Sequence, residues 1–229
     1  MEEKKYIIIN NKKIPIEPKT FNDEDFLDRD IMRENCLIIR DCFEKNNLFY
    51  GLIYGTLLGA IREKNFIEYD HDADIYLLHE DKEKFLQIVL DCFLKRGFKV
   101  IREGRNTISL IRKENYIDFY FFEKKDIRKK HYRFMGPAKY PAKILEESMY
   151  YLFLGKSFRI PKHYLSFLEI SYGKDWKTPK KNFPPQAYRN NLHGVLSKTL
   201  RNFFPSRSKG REFLKTLKNK YKFLNIFRI

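Results

Sequence analysis

The sequence of 229 residues contains no apolar run of the length that spans a bilayer, so it does not read as a helical membrane protein. Its first residues, MEEKKYIIINNKKIPIEP, begin acidic and lack a long apolar core with a cleavage site, so they do not read as a signal peptide. Cysteine is scarce. Cys36, Cys42 and Cys92 show no C-x-x-C spacing, and three thiols cannot all pair within one chain, which reads as reduced, partly buried thiols of a cytoplasmic protein. No internal repeat is visible. Acid is nearly missing from the last part: Ala187 to Ile229 carries eleven Lys and Arg against one acid, Glu212, and so holds most of the net charge of +16. A charge excess confined to one segment implies a job confined to that segment.

What is present describes a folded domain. Hydrophobic residues make up 43%, with 21 Phe and 15 Tyr, which excludes a disordered chain. YIIINNKKIPI reads as a hairpin with an Asn-rich turn. The stretch from Phe21 to Leu48 reads as an amphipathic helix capped by Asn22 or Asp23, with Phe26, Leu27, Ile31, Cys36 (or Leu37), Ile38 and Phe43 on its apolar side. FYGLIY reads as a strand, GTLLGAIREKN as a helix, DADIYLL as a strand, and EDKEKFLQIVLDCFLKRG as a helix closed by Gly97. Three strands follow in FKVIRE, TISLIRK and YIDFYFF. This order predicts an α/β (α+β) sheet flanked by helices. Beyond it, the basic IRKKHYRFMGPAKYPAKIL reads as a strand-poor connection, and PKHYLSFLEISYGKDW as a short helix started by Pro161 and stopped by Gly173. The predicted organisation is a hairpin over 1–19, a catalytic domain over 20–186 and a basic helical region over 187–229.

The run EYDHDADIY sets Asp70, Asp72 and Asp74 on alternate positions. Residues two apart on a strand point the same way, so the three carboxylates converge on one face. Like charges at that range resist ionising together, and a divalent cation is the usual partner that offsets them. Asp72 and Asp74 can reach one ion, and Mg²⁺ (or Mn²⁺) takes one or two carboxylates while leaving positions for water and substrate phosphates. A further acid, Asp118, stands between apolar residues in YIDFYFF, where a bare charge is costly to bury. Any one of these acids alone would ordinarily be solvated or salt-bridged; together they point to a metal-plus-base or two-metal site of Asp72, Asp74 and Asp118. Upstream, Gly55 and Thr56 fall where a strand hands over to a helix, a place that suits a phosphate approaching backbone N–H groups. Arg62 could contact phosphate oxygens as well.

Gly-Thr at a helix start, a D-x-D pair and a lone strand Asp together resemble the nucleotidyltransferase superfamily. The longer run YGTLLGAIREKNFIEYDHDADIYL is similar to the LicD/fukutin family of phosphotransferases, with Gly55, Thr56, Gly59, Arg62, Asp70, Asp72 and Asp74 on the motif positions. FLEISYGKDWKTPKK resembles that family's downstream segment through Glu169, Tyr172 and Gly173. Tyr69 stands where the family has Trp, His71 where it has Asp, and Ala73 where it has an aliphatic residue. The resemblance runs over about residues 35 to 185. It implies a nucleotidyltransferase-like mixed sheet and metal-dependent transfer of a phospho-alcohol from a CDP-linked donor, such as CDP-choline or CDP-ribitol, to a hydroxyl of a glycan or lipid-linked glycan acceptor.

For the basic region, two readings stand level. One is an amphipathic helix on an anionic membrane, which would put the protein on the inner face of the cytoplasmic membrane. The other is a helical cap on the domain. Nucleic acid ranks below both. An RNA-modifying nucleotidyltransferase is the competing function, and an inactive binding-only relative is a third, which retention of all four acids argues against.

Overall fold

The structure, a computed structural model, describes residues 5–17, 19, 26–136 and 138–179. The basic region expected over 187–229 and the expected caps Asn22 and Asp23 lie outside the described residues. In chain order the elements are β1 (Tyr6–Ile9), β2 (Lys12–Pro15), α1 (Arg29–Lys45), β3 (Gly51–Leu52), α2 (Tyr54–Arg62), β4 (Asp72–Leu78), α3 (Lys82–Ile88), β5 (Lys99–Glu103), β6 (Thr107–Arg112) and β7 (Asn115–Ile127). They continue with β8 (Lys130–Met135), β9 (Ala138–Pro141), α4 (Ala142–Glu146), β10 (Ser148–Phe153), β11 (Lys156–Pro161) and α5 (Tyr164–Tyr172).

The main sheet runs β3-β4-β7-β6-β5, with β8 and β9 added along the far end of β7. β4 and β7 are parallel neighbours, and the remaining pairs are antiparallel. This is a mixed α+β sheet of the kind the sequence predicts. Alternation along β7 sorts its residues by face. Phe119 and Phe121 pack against Phe43, Phe85 and Phe93 of α1, α3 and the turn after it, an aromatic core with ring centroids 4.7 to 6.2 Å apart. Asp118, Tyr120 and Phe122 face the other side, where Tyr120 meets Tyr54 of α2, and Phe122 meets Tyr140 of β9. Ile7 and Ile9 of the first hairpin are buried in the core, and the chain after β2 bonds to β5 through the Glu17 N–H and the Val100 carbonyl, 2.8 Å apart.

Several expectations need correcting. α1 begins at Arg29, not near Asn22: the Asp28 carboxylate accepts from the Asp30 and Ile31 N–H groups, and Phe26 and Leu27 precede the helix. A cap so satisfied ends the search for a start signal upstream. The strand in FYGLIY is only Gly51–Leu52, because the chain must turn into α2 directly after it. The basic stretch after residue 125 is not strand-poor. β7 runs on to Ile127 and turns into β8 through Arg128 and Lys129, whose φ values of 49° and 63° make a tight hairpin turn. The hairpin β10–β11 follows and was not foreseen. The cysteines are not all reduced: Cys42 of α1 and Cys92 of the π-turn after α3 form a disulfide, their Cα atoms brought to 6.4 Å by the packing of those two elements. Cys36 stays a free, buried thiol. Among the described residues no helix is long and apolar enough to cross a membrane.

Candidate active site

β3 ends at Leu52, and Tyr54 starts α2 with φ at 44°, a left-handed conformation that a bulky residue rarely adopts. Strain of this kind costs on the order of 1–3 kcal/mol and persists where the surroundings enforce it. Here the result is close contact between the start of α2 and the start of β4. The Gly55 N–H donates to Asp74 Oδ2 at 2.9 Å, and the Thr56 hydroxyl accepts from the Asp74 N–H at 2.8 Å. Thr56 and Asp74 are buried, 1% and 6% exposed. A Cβ on Gly55 would stand 2.6 Å from Asp70 Oδ2 and 3.3 Å from Asp74 Oδ2. The glycine therefore admits two carboxylates. Its N–H and the Thr56 hydroxyl, expected to receive a phosphate, are both turned to Asp74.

The acids gather as the alternation predicts. Asp70, Asp72 and Asp74 line one cleft of about 300 Å³ with Gly55 and Arg62. Burial pushes the Asp70 carboxyl up to about 6. Burial, with the charges of Asp118 and Asp70 beside it, pushes Asp72 up to about 8. Asp74 is held well above the ordinary carboxylate range by burial and then by Asp72, Asp70 and Asp118. Tyr116 hydrogen-bonds Asp72, and burial keeps that phenol protonated and able to donate. Fully ionised, the cluster would carry more negative charge than its surroundings offset, so without a cation Asp72 and Asp74 keep their protons.

Asp118 is the Cα partner of Asp74 across the β4–β7 pair, so the third acid does adjoin the other two. Its carboxylate is occupied: Ser109 donates to Oδ1 at 2.6 Å, Tyr120 donates to Oδ2 at 3.1 Å, and Arg102 ion-pairs with Oδ2. Arg62 lines the cleft and is steadied by Glu63, 2.8 Å away, and by the Trp176 carbonyl at 3.4 Å. Among the described residues, no three His, Cys, Asp or Glu side chains form a ready metal cage. An ion would instead take Asp72 and Asp74 and draw its other oxygens from water and substrate. That is the donor set Mg²⁺ favours, and the surplus charge and raised proton affinity of the acids fit it.

The rest of the cleft comes from the last described segment. Tyr172 at the end of α5, then Asp175, Trp176 and Thr178, face the acids across it. The sequence pattern linked this segment to the site through Tyr172 and Gly173, whereas Asp175 drew no attention. Arg102, Ser109, Tyr116 and Tyr120 were also missed. Only their strand register brings them to the acids, and no local motif marks them.

Comparison with known proteins adds four findings. The model of the LicD/FKTN/FKRP nucleotidyltransferase domain matches residues 47–163. An uncharacterized protein of Rickettsia typhi is 40% identical over 80 residues, 35% of this chain and 25% of that protein. The lipopolysaccharide cholinephosphotransferase LicD of Haemophilus influenzae is 40% identical over 57 residues, 23% of this chain and 22% of its own length. The matched stretches thus span about a quarter of those relatives. A solved structure of the antibiotic-resistance factor ANT(2'')-Ia is similar at a TM-score of 0.47 and 14% identity, over 84% of this chain and 98% of that one.

Proposed function

The chain belongs to the LicD/FKTN/FKRP nucleotidyltransferase-domain family, and from that premise we propose that it transfers a phospho-alcohol, of the phosphocholine or polyol-phosphate kind, from a CDP-linked donor to a hydroxyl of a glycan or lipid-linked glycan. The observation that carries this reading is the convergence of Asp70, Asp72 and Asp74 on one cleft, more acidic than its surroundings can balance.

Asp72 and Asp74 would hold a divalent ion, Mg²⁺ or Mn²⁺. When bound, it neutralises charge on the donor's diphosphate and on the departing CMP. Gly55 keeps Asp70 and Asp74 close, and Thr56 fixes the backbone of Asp74, so the carboxylates are oriented before any ligand enters. Arg62, steadied by Glu63, offers its guanidinium to phosphate oxygens. The acceptor oxygen forms its bond to the phosphorus that carries the alcohol as the bond to CMP breaks, and we assign the acceptor's proton to Asp70, a cleft carboxyl whose affinity for protons burial has raised. Asp118 stands beside the pair and would have to release Arg102 to become a ligand itself.

Calorimetry with CDP-choline, CDP-ribitol, CDP-glycerol, CTP and ATP, each with Mg²⁺ and then EDTA, tests the reading. The expected result is Mg²⁺-dependent binding of CDP-linked donors that the Asp72→Ala/Asp74→Ala variant loses. Binding of CTP or ATP alone would favour the competing nucleotidyltransferase, and no metal-dependent binding at all would end the catalytic reading.

A further inference from the structure

Four residues on four adjacent strands stand in one row across the sheet. Asp74 on β4 pairs with Asp118 on β7, Asp118 with Ser109 on β6, and Ser109 with Arg102 on β5. The last pairing depends on an irregularity. β5 and β6 are in register at Val100 and Leu110, and the next pair is Arg102 with Ser109, so Ile101 is the extra residue of a β-bulge. Along a regular strand Arg102 would share a face with Val100, which is buried at 1%. The bulge turns Arg102 to the opposite face, that of the acids.

There its guanidinium is held as a fork. Nε donates to Ser109 Oγ at 2.8 Å, Nη2 meets Asp118 Oδ2, and Ser109 in turn donates to Asp118 Oδ1 at 2.6 Å. Ser109 and Asp118 are buried at 0% and 3%, whereas the Arg102 side chain is 49% exposed. Among the described residues Nη1 has no partner. A buried carboxylate kept only to pin a sheet edge would need neither a bulge nor a guanidinium left half in solvent. Such pairs are often replaceable by apolar residues without loss. The charge of Arg102 also acts on Asp72, which belongs to the cleft.

We propose that Arg102 contacts the donor's diphosphate as a catalytic residue, held in place by Asp118 and Ser109, so that the site works with one divalent ion and a fixed guanidinium rather than with two ions. The proposal rests on the reading that the cleft binds a diphosphate-linked donor. Arg102 then supplies a permanent positive charge with planar, paired N–H groups on the side of the acid row away from Gly55. Asp118 and Ser109 are positioning residues: Asp118 Oδ2 and Ser109 Oγ accept from Arg102, Asp118 Oδ1 accepts from Ser109, and the carboxylate does not reach for metal.

The test uses the full chain with two probes, Mn²⁺ alone and inorganic pyrophosphate with saturating Mg²⁺. The variants are Arg102→Lys and the double variant Arg102→Gln/Asp118→Asn, which removes both charges together and leaves a neutral hydrogen-bonded pair, so the fold is kept. The expected result is one Mn²⁺ per chain in all three proteins, with pyrophosphate bound at least tenfold more weakly by the double variant. Arg102→Lys should lose several-fold, since an ammonium keeps the charge and loses the fork. Should the double variant fail to show a native thermal transition, Arg102→Lys alone decides: binding equal to the unaltered chain overturns the proposal. Unchanged pyrophosphate binding in the double variant overturns it too, as does a second Mn²⁺ in the unaltered chain that the Asp118→Asn change removes. In each of these cases the donor reading survives. If the unaltered chain binds no pyrophosphate with Mg²⁺, both fall together.

Discussion

The two faces of β4 and β7 are built from the same strands and obey opposite rules. On the helix side, Ala73, Ile75, Ile117 and Phe119 are buried at 1% or less, and the rings of Phe43, Phe85 and Phe93 pack on Phe119. On the other side, Asp72, Asp74 and Asp118 occupy the alternate positions, with raised proton affinity at Asp72 and Asp74. The helix side stabilises the fold by removing apolar surface from water. The acid side works against that stability and is tolerable because the helix side supplies the surplus. Structure and chemistry are thus separated at a period of two, and substitutions on the two faces should move different observables.

The largest expected effect is at Phe119. Phe119→Ala removes a fully buried ring and leaves a cavity, costing about 3–5 kcal/mol and lowering the thermal midpoint by roughly 10 °C. Whatever fraction stays folded should bind Mg²⁺ as before. Asp74→Asn is the mirror case. The amide oxygen still accepts from the Gly55 N–H and Asn matches the uncharged form that burial already favours at Asp74, so the metal-free protein should be about as stable, while Mg²⁺ affinity falls about 100-fold. Differential scanning calorimetry and metal titration on both variants separate the faces. A large stability loss in Asp74→Asn would break the comparison.

Which parts of this arrangement were legible in the sequence follows from what local chemistry can encode. Asp72 and Asp74 at i and i+2 state their shared face directly, and Gly55 before the helix marks a close approach, here that of the Asp70 and Asp74 carboxylates. The hairpin turn at Asn10–Asn11, with φ of 47° and 61°, uses residues that favour that conformation and was legible. Lys113–Glu114 and Arg128–Lys129 adopt nearly the same geometry with residues that carry no such preference, so the second of them was read as loop. The hidden half of the site has the same cause. Nothing in KVIRE distinguishes a bulged strand from a regular one, and regular alternation puts Arg102 on the wrong face. The register of β5 on β6 is a tertiary property, set by neighbours such as the chain after β2 bonded at Val100.

A smaller effect probes the seam between the two regions. Thr56 belongs to α2, is buried, and its hydroxyl accepts from the backbone N–H of Asp74. Thr56→Val keeps the volume and strands that N–H, which should cost about 1–3 kcal/mol. Thr56→Ser keeps the acceptor and should cost well under that. If the hydroxyl also orients Asp74 for metal, Val weakens Mg²⁺ binding several-fold beyond its effect on stability, and Ser does not. Equal Mg²⁺ affinity in both variants, measured by titration below their melting range, would reduce Thr56 to a purely structural tie.

The most graded difference between the faces is in pH. Phe119 and its neighbours carry no titratable group, so the helix side contributes a constant. On the acid side, Asp70 rises to about 6 and Asp72 to about 8 from an ordinary 3.8, so across that window the folded chain binds more protons than the unfolded one. Stability then falls as pH rises, since unfolding is favoured wherever the unfolded state is the more deprotonated. The contribution is fully present below about pH 4, shrinks as pH passes 6, and is gone above 8. In metal-free protein this predicts a decline of several kcal/mol between pH 5 and 8, since Asp72 alone holds one extra proton over most of that window and one pH unit of a single proton difference is about 1.4 kcal/mol. Saturating Mg²⁺ supplies the missing positive charge and holds Asp72 and Asp74 ionised, so it should flatten the decline and stabilise most at pH 8. Thermal melts at pH 5, 6, 7 and 8 in EDTA and in Mg²⁺ measure both slopes. Parallel curves would mean that the acids are offset from within the protein, and the row of carboxylates would then belong to the fold as much as the phenylalanines behind it.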